Sequence, residues 1–320
     1  MRRRDVLTLA VLGAAAGCTG SRKKRIAVIP KSTSHLFWLT CQAGAMAAGE
    51  EFGVEILWNG PPAETEYSRQ IQILDSMIAQ RVDGIALAAT ERKALIAPVE
   101  RAVKAGIPIT VFDSGLDSDI YTSFVATNNF EAGQLAARKL AELVGGKGEI
   151  AILLHAPGSV STMDRESGFK DVMSKEFPGV RIVAEQFGMS DRAKSRAATE
   201  NFLAANPRLS GMFASAEPGS IGAALAIKAR GAAGRVKFVA FDSSDVMIED
   251  LKAGVMQAFV VQDPFFMAHE AVKTLVDKLN GKTPPKRVDL TARVITAPDL
   301  DKPDVQKLLN PDVKKYVSRG

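Results

Sequence analysis

Gly106-Ile107-Pro108-Ile109-Thr110-Val111-Phe112-Asp113-Ser114 is the stretch on which the reading of the fold turns. Glycine and proline at its head end any preceding helix, the one by freeing the backbone and the other by fixing φ and removing a donor. The run from 107 to 112 has strand length and no polar alternation, so both faces of its sheet must be covered. It stops on a carboxylate and a hydroxyl. The same grammar recurs outward from here. Runs at 25–30, 54–58 and 84–88 read as buried strands, separated by helically spaced segments at 36–52, 66–80 and 93–104. The pattern then restarts, with strands at 149–154, 181–186, 211–214 and 237–241 and helices at 163–175, 192–204, 220–228 and 245–252. Two successive sets of about 100 residues predict an α/β protein of two doubly wound parallel-sheet lobes.

A closed eightfold barrel shares this alternation, and periodicity alone does not separate the two. The strand ends do. Ser32 to Trp38 follow the first strand, Asp113-Ser114 the fourth, Asp242-Ser243-Ser244 the run ending at Phe241, and Gln262-Asp263 the run 259–261. Hydrogen-bonding and aromatic residues gathered at carboxyl ends are the makeup of a site between two open sheets.

The first 25 residues do not read as part of a fold. Arg2, Arg3 and Arg4 precede an apolar run from Val6 to Ala16, then Gly17-Cys18, which is the layout of an export signal over 1–17. That run is shorter than the roughly 18 apolar residues a membrane helix needs. Arg3-Arg4-Asp5-Val6-Leu7 resembles a twin-arginine signal, and Ala15-Ala16-Gly17-Cys18 resembles a lipobox with Ala15 in place of the usual leucine. Lipidation of Cys18, with 18–24 as a basic tether, is one reading; plain cleavage near Ala16 with an incidental thiol is the other. The chain has 41 Lys+Arg and 36 Asp+Glu; seven and one of these lie in residues 1–25, which leaves 34 and 35, a net −1, for the body. A nucleic-acid partner is therefore not expected, because such proteins carry their positive charge on the folded face. After Cys18 only Cys41 remains, and His35, His155 and His269 have no metal-site spacing, so neither a cofactor nor a metal is implied.

From about Arg25 to Arg293 the chain resembles the periplasmic sugar-binding proteins of the ribose/galactose type, whose fold is shared with the effector domains of lac-type repressors. The resemblance rests on Ile26-Ala27-Val28-Ile29-Pro30 leading to Leu36-Phe37-Trp38, Val82-Asp83-Gly84-Ile85, the stretch 106–113, Asp164-Arg165-Glu166-Ser167-Gly168-Phe169, Val239-Ala240-Phe241-Asp242 and Val260-Val261-Gln262-Asp263-Pro264. It implies a type I periplasmic binding protein with three crossovers near 126–128, 262–263 and 290–292. The lobes would be 25–126 plus 263–290, and 127–262 plus 291–320. A small polar ligand, expected to be a sugar, would sit in the cleft of a monomeric, non-enzymatic component of an ABC importer. Its partners would be a membrane permease and, through Cys18, the membrane surface; the protein would be exported, in the periplasm or on the outer face of a membrane. A sensory protein feeding a chemoreceptor or kinase fits the same residues.

By this resemblance Phe37 and Trp38 stack on a sugar ring, Asp113 and Asp242 accept hydroxyls, Arg165 holds a ring oxygen and a hydroxyl, and Gln262 lies at the hinge. A salt bridge between lobes or a helix cap is the competing role for the charged residues, most plainly for Asp242-Ser243-Ser244 ahead of a helix. Ser34 and Ser190 are further candidates, with Ser32 and Glu217 as weaker lining. His35 stands where ribose-type members carry asparagine, and Ala89 and Ala216 replace amides, which argues against ribose and leaves room for a larger, less hydroxylated or anionic ligand. The motifs of an enzyme are missing: there is no GxSxG elbow, GxxxxGK[ST] loop or GxGxxG turn, and Gly145-Gly146-Lys147-Gly148 precedes a strand instead of opening a helix. A repressor would need a helix-turn-helix where the leader stands.

Overall fold

The computed structural model describes residues 22–317; the export signal and Cys18 lie outside them. The chain begins with β1 (Arg25–Ile29), α1 (Leu36–Phe52), β2 (Glu55–Trp58), α2 (Tyr67–Ala79), β3 (Gly84–Leu87), α3 (Ile96–Lys104), β4 (Ile109–Phe112) and β5 (Ser123–Thr127). It continues with α4 (Asn129–Leu143), β6 (Gly148–Leu154), α5 (Val160–Glu176), β7 (Val180–Phe187), α6 (Arg192–Ala205), β8 (Leu209–Ala214), α7 (Glu217–Ala229), β9 (Lys237–Phe241), α8 (Asp245–Lys252) and β10 (Ala258–Val261). Last come α9 (Pro264–Leu279), β11 (Arg287–Leu290), β12 (Arg293–Ile295), α10 (Pro303–Leu309) and α11 (Val313–Val317).

Two six-stranded sheets result, ordered β11-β5-β4-β3-β1-β2 and β12-β10-β9-β8-β6-β7. Within each, the strands are parallel except for β12, which pairs antiparallel with β10. Each order reverses beside its first strand, at β1/β3 and at β6/β8, and such a switch point opens a crevice at the carboxyl ends. Both faces of each sheet are covered. Ile26 and Val28 enter one core while Ala27 and Ile29 enter another; Ala151 and Leu153 are likewise split from Ile150, Ile152 and Leu154. That two-sided burial is the reason the strands read as unbroken apolar runs.

The chain passes between the sheets at Asn128, at Gln262-Asp263 and at 291–292. Two of these passages double as helix starts: Asn128 caps α4 through Glu131 N, and Asp263 caps α9 through Phe266 N with Pro264 in the first turn. The end of the chain departs from the expected division, which gave 291–320 to the second lobe. Leu300 and Val305 do pack in that lobe's core, but α11 then crosses back to lie on α1, with Tyr316 against Phe265 at 6.0 Å. The periodic pattern also left 115–148 unassigned, where β5 and α4 form. Among the described residues no helix is long and apolar enough to cross a membrane.

Helices pack unusually close beside the cleft. Gly133 of α4 lies so near α5 that an added Cβ would come within 2.7 Å of the carbonyl carbon and 2.8 Å of the Cα of Arg165. Gly168 of α5 meets the backbone of Phe130 in the same way, and Gly44 of α1 meets that of Phe265 in α9.

Candidate functional site

The two sheets end on matching residues. Asp113 follows Phe112 at the end of β4, Asp242 follows Phe241 at the end of β9, and both take positive φ, 57° and 66°. Left-handed backbone disfavours any residue with a side chain, and such strain gathers at functional sites. Both aspartates line one small cavity between the lobes. Ser244 resolves the competing role for its segment. Its hydroxyl accepts from Met247 N and caps α8, which releases Asp242 to face the cavity.

Asp242 is fully engaged. Its Oδ1 accepts from Gln262 Nε2 at 2.8 Å and its Oδ2 from the backbone N–H of Glu217 at 3.1 Å, while Gln262 Oε1 accepts from Thr127 at 2.8 Å. Burial raises its pKa against the opposing pull of Arg165. Asp113 differs: its Oδ2 is ion-paired with Lys31 Nζ at 3.1 Å but, among the described residues, accepts no hydrogen bond of good geometry. An incoming hydroxyl would satisfy it.

Arg165, on α5, is 2% exposed and rigidly held. Nε donates to Asn129 at 2.8 Å, a terminal nitrogen donates to Ser215 O at 2.9 Å, and the guanidinium lies 3.8 Å over the ring of Phe241. Opposite it, Phe37 and Trp38 open α1 with edge-to-face rings 4.9 Å apart, and Trp38 meets Phe112 at 6.3 Å. Trp38 lines the cavity but is 1% exposed, with its indole N–H donating to Glu64 at 2.8 Å. It is thus a fixed wall of the site as much as a core residue.

His35, Phe37, Trp38, Asp113, Arg165, Ala216, Asp242 and Gln262 share this lining; Ser34, Ala89 and Ser190 are not among it. Ala89 is wholly buried in the core between β3 and its helices, and Ser34 is exposed, paired with Ser32 at 2.8 Å. Ser190 stands at the rim, 3.4 Å from His35 Nε2, and burial lowers the His35 pKa.

Sequence reasoning passed over Lys31, Glu64 and His155. Lys31 donates to Ser159 and Ser161 across the cleft, both at 3.2 Å. Burial opposes its charge, but Asp113 and Glu64 more than offset this and hold its pKa above the ordinary value. Glu64 receives His155 Nε2 at 2.8 Å; burial alone would raise its pKa, but Lys31 and His155 carry it well below the usual range. Lys31 comes just after Pro30, so a strand-end rule applied one residue earlier would have found it. Glu64 lies in a long loop after an edge strand, where local pattern carries no signal. Glu217, at the start of α7, accepts from Phe37 N at 3.4 Å and Arg192 at 3.0 Å; burial and Asp242 together raise its pKa to about 7.

A family model described as a periplasmic binding protein domain matches residues 26–283, so the chain belongs to that family, whose members bind solutes for transport and are not enzymes. Among curated relatives, the D-ribose/D-allose-binding protein of Pseudomonas aeruginosa is 31% identical over 288 residues, covering 86% of this chain and 90% of that protein. The D-allose-binding periplasmic protein of Escherichia coli is 28% identical, covering 81% and 86%. Among solved structures, a carbohydrate transporter solute-binding protein of Agrobacterium radiobacter in complex with D-arabinose superposes with a TM-score of 0.88 at 32% identity, covering 91% of this chain and all of that one. An Agrobacterium vitis solute-binding protein with bound D-fucose gives 0.87 at 34% identity, covering 89% and 100%.

Proposed function

We propose that this protein is the extracytoplasmic sugar-binding component of an ABC importer and that it closes on one neutral monosaccharide. The observation that carries the reading is the pair Asp113 and Asp242, strained and buried at equivalent strand ends of opposite sheets and facing one cavity. Asp113 and Arg165 would hold hydroxyls and the ring oxygen, Asp242 and Gln262 would work as a hinge-side pair, and Phe37 and Trp38 would cover the apolar C–H face. The solved relatives with bound D-arabinose and D-fucose support a ring of this size. An anionic ligand, which the sequence left open, suits the cavity poorly. Glu64, Asp113, Glu217 and Asp242 line it against Lys31 and Arg165, and each of these cations already has partners.

The moving bodies in this reading are 25–127 with 264–290, and 128–262 with 293–309. Closure around the three passages would exclude water and strengthen each polar contact. The permease, the lipid anchor on Cys18 and a monomeric state belong to the same proposal. Calorimetric titration of the mature protein with D-arabinose, D-fucose, D-allose, D-ribose and a sugar acid tests it. Binding of at least one neutral sugar with no turnover is expected, and binding of the sugar acid alone would overturn it. Intact mass of the membrane-fraction protein should show a diacylglycerol on Cys18; a bare residue there, or an N-terminus elsewhere, removes the anchor.

A further inference from the structure

Glu64 joins aromatic and charged residues of the first lobe to the second lobe at the cavity wall. Its loop carries it from the end of β2 into the cleft, where it is 8% exposed. Oε1 accepts from the indole of Trp38 at 2.8 Å, and Oε2 accepts from His155 at 2.8 Å with the Lys31 ammonium 3.4 Å away. Trp38 and Lys31 belong to the same lobe as Glu64, but His155, 4% exposed, stands just past β6 in the other. Its backbone N–H is anchored in turn by Glu166 at 2.9 Å, and Glu166 also accepts from Ser215 at 2.7 Å. At the hinge Thr127 and Gln262 also join the lobes at 2.8 Å, whereas the bonds over the cavity are longer: 3.2 Å from Lys31 to Ser159 and Ser161, and 3.4 Å for Phe37 to Glu217, His35 to Ser190 and Ser161 to Ser114.

We propose that Glu64 and His155 form a closure latch: Glu64 positions Trp38 and Lys31 for the sugar, and its bond to His155, made only when the lobes close, sets how long the sugar is held. The inference rests on the sugar-binding reading of the cavity. Its physical basis is an asymmetry between states. In the open protein water solvates both partners, whereas in the closed one the carboxylate is dry and every donor to it counts more. Breaking the latch must therefore act on release, not on encounter, where changes within one interface are usually small. Glu64 and His155 are thus positioning residues.

The test uses the mature protein in a Trp58→Phe background, which leaves Trp38 as the only tryptophan of the two in the chain. Stopped-flow fluorescence with the tightest binder among D-arabinose, D-fucose and D-allose gives both rate constants. His155→Leu should raise koff roughly 10- to 100-fold with kon changed by no more than about twofold. His155→Gln, which keeps a donor, should recover most of the loss. In a Glu64→Gln background His155→Leu should add little further, and the emission change of Trp38 on closure should shrink. The sugar-free melting temperature should stay at the wild-type value, because the latch is apart in the open state. An unchanged koff in His155→Leu, additive effects of the two substitutions, or a melting temperature that falls in step with koff would each overturn the latch. Should His155→Leu not fold, the ratio of koff between His155→Gln and His155→Asn, donors of different reach, decides; equal values reject it. A wild-type protein that binds none of these sugars fails at the earlier step, and the latch falls with it.

Discussion

Gly133→Ala puts one methyl group where α4 and α5 nearly touch, and its consequences are calculable. The new Cβ would stand 2.7 and 2.8 Å from two backbone carbons of Arg165, against the 3.4 Å at which ordinary contact begins. Neither neighbour is a side chain that can swing aside, and the Arg165 carbonyl oxygen stands nearer still, so the helices must part by more than about 1 Å. Overpacking of this kind costs about 1–3 kcal/mol, reduced by up to about 1 kcal/mol because alanine favours a helix over glycine. A net loss of about 2 kcal/mol in a lobe of this size lowers Tm by roughly 4–8 °C. The functional effect exceeds the thermal one, because the same two helices carry Asn129 and Arg165, joined at 2.8 Å. Parting them moves the guanidinium that faces the sugar. We expect sugar affinity to fall on the order of tenfold or more, read by calorimetric titration, with Tm followed by scanning calorimetry. Gly115→Ala is the control, since its Cβ would meet Phe124 at an ordinary 3.5 Å. A Gly133→Ala protein with unchanged Tm and affinity would show that close helix contact does not hold Arg165 in place.

Three further outcomes are expected. Asp113→Ala and Arg165→Ala should each abolish the sugar-induced rise in melting temperature while the sugar-free circular dichroism stays native; full affinity in both would place the site elsewhere. Lys31→Met leaves Asp113 and Glu64 buried together without their cation, and breaking a buried pair in this way costs about 3–5 kcal/mol; chemical denaturation should show that loss in the closed, sugar-bound protein, and Lys31→Met as stable as wild type would refute it. Glu217 titrates near 7 in the closed form. A carboxyl raised on closure takes up a proton, so closure and affinity gain as pH falls from about 7 towards the ordinary carboxylate value, while His35, lowered by burial, works in the opposite direction. The slope of affinity against pH between roughly 5 and 7 should therefore become less favourable to acid in Glu217→Gln, and an identical slope in the two proteins would exclude the coupling.

The residues that locate this site divide by how local their signal is. Asp113, Asp242 and Gln262 end apolar runs, and a strand in a covered parallel sheet declares its own carboxyl end. Lys31 ends such a run too, but Pro30 between it and the strand blurred the boundary. Trp38 was legible as an aromatic at the cleft, though not as one whose indole is tied to a carboxylate 26 positions away. Glu64 and His155 meet across 91 positions and two lobes, a distance over which no local periodicity operates. Ala89 shows the converse case: the family resemblance put it in the pocket, whereas the alanine fills the packing between sheet and helices. The segment holding β5 and α4 was silent because the capping asparagine, Asn128, abuts the strand end directly, with no turn residues between the two elements.

The route of the chain has a consequence for how the molecule can be made. The first lobe is not finished by its first hundred residues. It still lacks α9, whose Met267, Ala268, Ala271, Val272 and Leu275 are buried in its core, together with β11 on its sheet edge and α11 on α1. A polypeptide emerging from the ribosome thus holds an incomplete apolar surface until nearly the whole chain has been synthesised. The second lobe is likewise completed late, by β12 at its sheet edge and by Ile295, Leu300 and Val305 in its core. Neither lobe therefore completes its core before most of the chain has been made, and a fragment cut after β5 would be a partial lobe with an open flank.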